Sequence, residues 1–87
     1  IDLYGDYPLH FAHMQKPVSV AEVLAHPDRY DCKSLADPIE GVERGLTKAM
    51  FFANDGWKPF IHSFSHGGTR HFLHATAPPS RLHVEPL

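Results

Sequence analysis

Hydrophobic and polar positions alternate most clearly between Thr47 and His74. Thr47 to Ala53 is rich in apolar residues, Asn54-Asp55-Gly56 is a strong hairpin-turn signal, and Trp57 to Phe64 follows as a second strand. Ser65-His66-Gly67-Gly68 marks a second turn and Thr69 to His74 a third strand, so the pattern predicts a three-stranded antiparallel meander. A strand sends successive side chains to opposite faces, which puts Phe60, His62 and Phe64 on one side and Ile61 and Ser63 on the other. Pro59 has no amide to donate and is expected at a sheet edge or a bulge.

Upstream the period changes. Ser19-Val20-Ala21-Glu22 is a capping box, and Val20, Val23 and Leu24 make a helical apolar stripe. Pro27 stops that helix within two turns, leaving Pro27-Asp28-Arg29-Tyr30 for one further turn. Residues 1–17 read as an N-terminal extension in which Leu3, Tyr7, Leu9 and Phe11 offer one short strand. Cys32 to Gly45 is irregular, broken by Asp37-Pro38 and Gly41, and residues 76–87 read as a Pro-rich extended tail. The expected fold class is α+β: over residues 18–75, a short helix packed near a three-stranded antiparallel meander with zinc-ribbon-like topology.

Composition narrows the class. With 43% hydrophobic residues in 87, the chain can bury one small core, and no apolar run approaches the ~20 residues that cross a bilayer. No membrane partner is expected. A formal charge of −2 excludes a strongly basic nucleic-acid domain but leaves room for a local basic face. One cysteine excludes an intrachain disulfide and suits a reducing, cytoplasmic setting. The chain starts at Ile1 and reads as a segment of a longer protein.

The excess is in histidine, eight residues. His62 and His66 bracket the second turn, and two readings stand side by side. In one they are half of a zinc site completed by Cys32, Asp37 or Glu40, since a loop ahead of a hairpin can lie beside the hairpin's far turn. In the other no cofactor is bound: His62 hydrogen-bonds the Asp37 loop, and Asp37 accepts backbone amides as Asp does ahead of turns. His10, His13, His71 and His74 read as surface or packing residues, because His71 and His74 point to opposite faces of one strand. Asp37 with Glu40, and Ser63 and Ser65 beside histidines, lack the partners a catalytic site needs, so no enzyme activity is expected of this segment.

Lys48, Lys58 and Arg70 fall one to a strand, with Trp57, Phe60 and Phe72 interleaved. Aromatic rings beside cations on a small sheet are what single-stranded nucleic-acid recognition uses. The alternative spends those aromatics on the core.

One resemblance covers roughly residues 18–75. The ordered set Val18 to Tyr30, Leu35-Ala36-Asp37-Pro38-Ile39-Glu40-Gly41, Lys48-Ala49 and Pro59-Phe60-Ile61-His62-Ser63-Phe64-Ser65-His66-Gly67 resembles a segment of primase-helicase type replication proteins of prophages, plasmids and integrative elements. In those proteins it lies between a primase-like part and an ATPase-helicase part. The same stretch is loosely similar to the zinc ribbon of bacterial-type primases, with Asp37 to Glu40 and Ile61 to Gly67 standing where its two knuckles would be and the cysteines gone. The resemblance implies a non-catalytic accessory module that helps engage template DNA or positions neighbouring primase and helicase domains. Its single-stranded DNA contacts would fall on Trp57, Lys58, His62, His66 and Arg70. A purely structural role, with Asp37, Glu40 and His62 joining loop to hairpin, is the rival; a zinc ribbon using Cys32, Asp37, His62 and His66 is the third reading.

Overall fold

The computed structural model describes residues 1–76, and of His66 the backbone alone; the tail from residue 77 on lies outside the described residues. The expected meander is present as β5 (Ala49–Phe52), β6 (Phe60–Ser63) and β7 (Thr69–His74), paired antiparallel. Two more strands extend it. β1 (Asp2–Tyr4) joins the free edge of β7 in parallel, and β4 (Ser34–Leu35) joins the free edge of β5 antiparallel. The sheet is therefore five-stranded, in the order β1-β7-β6-β5-β4, where the sequence pattern predicts three strands. A ribbon of β2 (Pro8–Leu9) and β3 (Val18–Ser19) and one helix, α1 (Val20–Ala25), complete it. The fold is mixed α and β with a mostly antiparallel sheet.

The N-terminal segment reads as an extension, but the structure weaves it into both edges. After β1 it crosses to the far side, where Phe11 bridges Leu35 and the chain exchanges hydrogen bonds with β4: Ala12 N–H to Ser34 O at 3.0 Å and Ala36 N–H to His10 O at 2.9 Å. Leu3, Leu9 and Phe11 are all buried. β1 and β4 are three and two residues long, too short to show a period.

Ser19 caps α1 as the motif implies, its Oγ accepting from Glu22 N–H at 3.0 Å. The Glu22 carboxylate turns to the next turn, taking the Tyr30 hydroxyl at 3.1 Å with Arg29 at 3.5 Å. This clamps the 3-10 turn Pro27–Arg29 and buries Tyr30 against Phe11. The helix lies over β1 and β7. Val20 and Val23 face a core made by Leu3, Leu35, Phe51, Ile61 and Leu73 from the sheet and Leu9, Phe11 and Tyr30 around it.

The loop joining β5 to β6 is longer than Asn54-Asp55-Gly56 implies. Asn54 and Asp55 are both left-handed, but so is Lys58, at φ 50°, and the ladder resumes only at Phe60. Pro59 precedes the strand and contributes its carbonyl, which accepts Leu73 N–H at 3.4 Å.

Candidate nucleic-acid interface and the buried polar seam

Alternation along β5, β6 and β7 gives the sheet two faces. The inner one carries Ala49, Phe51, Ile61, Ser63, His71 and Leu73, all buried. The outer one carries Met50, Phe52, Phe60, His62, Arg70 and Phe72, and the ladder aligns them in rows. Phe52, Phe60 and Phe72 are direct cross-strand partners, and so are Met50, His62 and Arg70. Neighbouring rings in the aromatic row stand 5.4 and 6.3 Å apart, and the Arg70 guanidinium lies 4.8 Å over Phe60. At one end His62 meets Phe64 edge-on at 5.3 Å; at the other, His74 stacks on Tyr4 at 4.8 Å and holds Asp2 at 2.9 Å.

The core therefore does not take Trp57, Phe60 and Phe72. Trp57 is 69% exposed at the β5–β6 loop, with the Lys58 ammonium 5.4 Å from its ring. Phe60 and Phe72 are only half-buried, on the outer face. Of the five residues expected to contact DNA, His62 and Arg70 are brought side by side, and Trp57 and Lys58 sit at the loop before β6. His66 lies in the 3-10 turn Ser65–Gly67.

The inner face holds a polar seam. Asp37, Ser63 and His71 are 4%, 1% and 2% exposed. Asp37 Oδ1 accepts the amides of Ile39 and Glu40 at 2.8 and 2.9 Å, closing the turn after Pro38, and Oδ2 accepts the Ser63 hydroxyl. Two residues on, the Ser65 hydroxyl donates to Glu40 at 3.2 Å. Tyr7 fastens the same loop from below, its hydroxyl donating to Pro38 O at 2.6 Å. Asp37 and Glu40 thus tie loop to hairpin, but His62 does not share in it. The hydrogen bond to Asp37 expected of His62 is made by Ser63, because His62 is one residue out of phase and faces the other way.

The histidine nearest this carboxylate in effect is His71, which the sequence pattern assigns to surface or packing. Among the described residues its buried Nδ1 has no hydrogen-bond partner, and it lines a recess with Asp37, Ser63 and Thr69. Burial holds its pKa below the usual imidazole value, overriding the pull of Asp37. Burial pushes Asp37 upward, but the Ser63 hydroxyl, the two loop amides and His71 outweigh it, so its carboxyl titrates below the usual carboxylate range. The alternation already shows that His71 and His74 part company; it is His71 that takes the buried face.

The candidate zinc ligands whose side chains are described are spread out. Cys32 is exposed, and its amide donates to Phe51 O at 2.7 Å, whereas Asp37 lies beyond the other end of β4 against Ser63; His62 is on the outer face. Among the described residues no three His, Cys, Asp or Glu side chains converge as a metal site requires. No described helix is long and apolar enough to cross a membrane. No protein-family model, curated protein or solved structure matches the chain.

Proposed function

We propose that this chain is a non-catalytic module that holds single-stranded DNA on the outer face of its sheet, within a primase-helicase type replication protein of a mobile element. The observation that carries the reading is the row Phe52–Phe60–Phe72 with Arg70 over its central ring. Bases stack on such rings whatever their identity, and each is worth about 1–3 kcal/mol. Arg70, Lys58 and His62 would meet the phosphates that pass between them. A net charge of −2 makes this a weak, local contact that neighbouring primase and helicase domains would reinforce. In this reading the 37–40 loop and the 63–65 turn stand where the knuckles of a zinc ribbon stand, joined by hydrogen bonds. Fluorescence anisotropy with a labelled dT oligonucleotide tests it. Lys58→Ala with Arg70→Ala should weaken binding and flatten the slope of log K against log salt by about 1.4, since each phosphate contact contributes about 0.7 on a single strand. Unchanged affinity in the double variant would reject the reading.

A second reading has its own support. Four residues of the resembling motifs, Asp37, Glu40, Ser63 and Ser65, are engaged with one another, as expected of a domain that only spaces or docks its neighbours. It predicts no oligonucleotide binding at any salt concentration.

A further inference from the structure

Beside the aromatic row the sheet surface opens into a recess of about 330 Å³ lined by Asp2, Lys58, Pro59, Phe72, Leu73 and His74. We infer that this recess is a base-specific subsite that takes one guanine of a bound single strand; the inference rests on the DNA reading above and adds sequence preference to it.

Phe72 belongs both to the aromatic row and to the recess wall, so a strand stacked on Phe60 and Phe72 delivers its next base there. The Asp2 side of the recess does not suit a phosphate. Asp2 puts a carboxylate at its rim, and an anion there repels the backbone but accepts N–H groups of a base. That carboxylate is positioned: Oδ1 takes His74 Nε2 at 2.9 Å, and His74 is itself fixed by its stack on Tyr4 with ring planes 22° apart. A carboxylate has about four acceptor sites, so the histidine leaves capacity for a ligand.

Lys58 supplies the opposite partner. It holds a left-handed backbone, φ 50°, immediately ahead of Pro59, a conformation that is costly for a residue with a Cβ and that the following proline disfavours further. Strain of this kind gathers where a side chain has a task, and here it sets a lysine at the recess. Guanine carries its O6 acceptor beside the N1–H and N2–H donors on a single edge. Lys58, whose ammonium carries three donors, can give one to O6 beside its phosphate contact while Asp2 accepts the N–H groups. Adenine lacks the carbonyl and thymine lacks the amine. Cytosine presents an amine and a carbonyl but a smaller ring to stack on Phe72.

The full chain is titrated by anisotropy with four labelled dT decamers that differ at one central base, dG, dA, dC or dT, at fixed salt. The dG oligomer should bind about tenfold more tightly than the others, the discrimination one good base contact gives. In Asp2→Asn the ratio should fall towards one, because the amide offers a single acceptor oxygen and no charge. Equal affinity for all four oligomers in the unmodified chain overturns the guanine subsite and leaves the stacking face standing. A preference for dC or dA overturns the assignment to guanine, and no binding of any oligomer overturns both.

Discussion

Ser63 donates its hydroxyl to the carboxylate of Asp37 across a separation of 26 residues, and both side chains are almost wholly buried. This one bond joins the loop after β4 to the middle of the sheet. Removing one member strands the other in a low-dielectric seam, where an unmade hydrogen bond to a charged group is costly. Asp37→Ala also frees the amides of Ile39 and Glu40, so it should lower unfolding stability by about 2–4 kcal/mol, at or above the upper end of single-partner losses. Ser63→Ala should cost about 1–3 kcal/mol, since it leaves the carboxylate its two amides. Urea denaturation of the two single variants and the double variant checks this. A double variant whose loss equals the sum of the singles would mean that the two residues are not coupled.

The same seam sets an acid limit. His71 has a folded pKa below its unfolded value of about 6.5, so the unfolded chain binds that proton more readily. Its contribution is complete above pH ~6.5 and declines as the pH falls from there towards the folded pKa. Asp37 is also depressed, so its contribution is complete above ~3.9 and is lost as the pH falls through its lower folded pKa. Stability should therefore fall in two stages on acidification. His71→Asn should abolish the first stage and keep the second, read as the urea midpoint against pH. A single-stage loss beginning only near pH 4 in the unmodified chain would remove His71 from the account.

Phe60 and Ile61 are sequence neighbours with opposite tasks. Ile61 is 0% exposed in the core, and Ile61→Ala should cost about 2–5 kcal/mol of stability. Phe60 faces outward beneath Arg70, so Phe60→Ala should leave the fold standing and weaken oligonucleotide binding by about 1–3 kcal/mol, the value of one stacked base. Thermal denaturation and anisotropy on the same two variants separate the effects. If both variants lose stability alike and neither changes binding, the outer face is packing surface.

Much of this geometry was legible beforehand, for reasons that differ by element. The meander was readable because its strands alternate and its turns carry Asn, Asp and Gly, and α1 because Ser19 and Glu22 bracket its start. Asp37 before Pro38 announced its own turn. The edge pairing of Asp2–Tyr4 with Phe72–His74 was not readable, because it joins residues some seventy positions apart and leaves no local period. Which side of β6 turned inward was hidden for a chemical reason. Phe60 and Phe64 make the outer side the more aromatic of the two, and inward burial of Ser63 is favourable because Asp37 arrives from another segment to accept its hydroxyl. Once the phase of β6 was open, so was the choice between His62 and Ser63 as the partner of Asp37.

Cys32 offers the sharpest separation between a backbone role and a thiol role. It is exposed and left-handed at φ 62°, a conformation glycine adopts without the steric cost a Cβ brings. Its amide, which donates to Phe51 O, holds the chain against the end of β5, and glycine keeps that amide. Cys32→Gly should therefore relieve strain while freeing the unfolded chain, two effects of about 1 kcal/mol that oppose each other. The expected result is a stability within about 1 kcal/mol of the unmodified chain, with or without added zinc. If the thiolate were a zinc ligand, the variant would lose a large zinc-dependent stabilisation, because metal bound only by the folded state adds its binding energy to folding. Melting curves of both proteins, each recorded with zinc and with a chelator, show which it is.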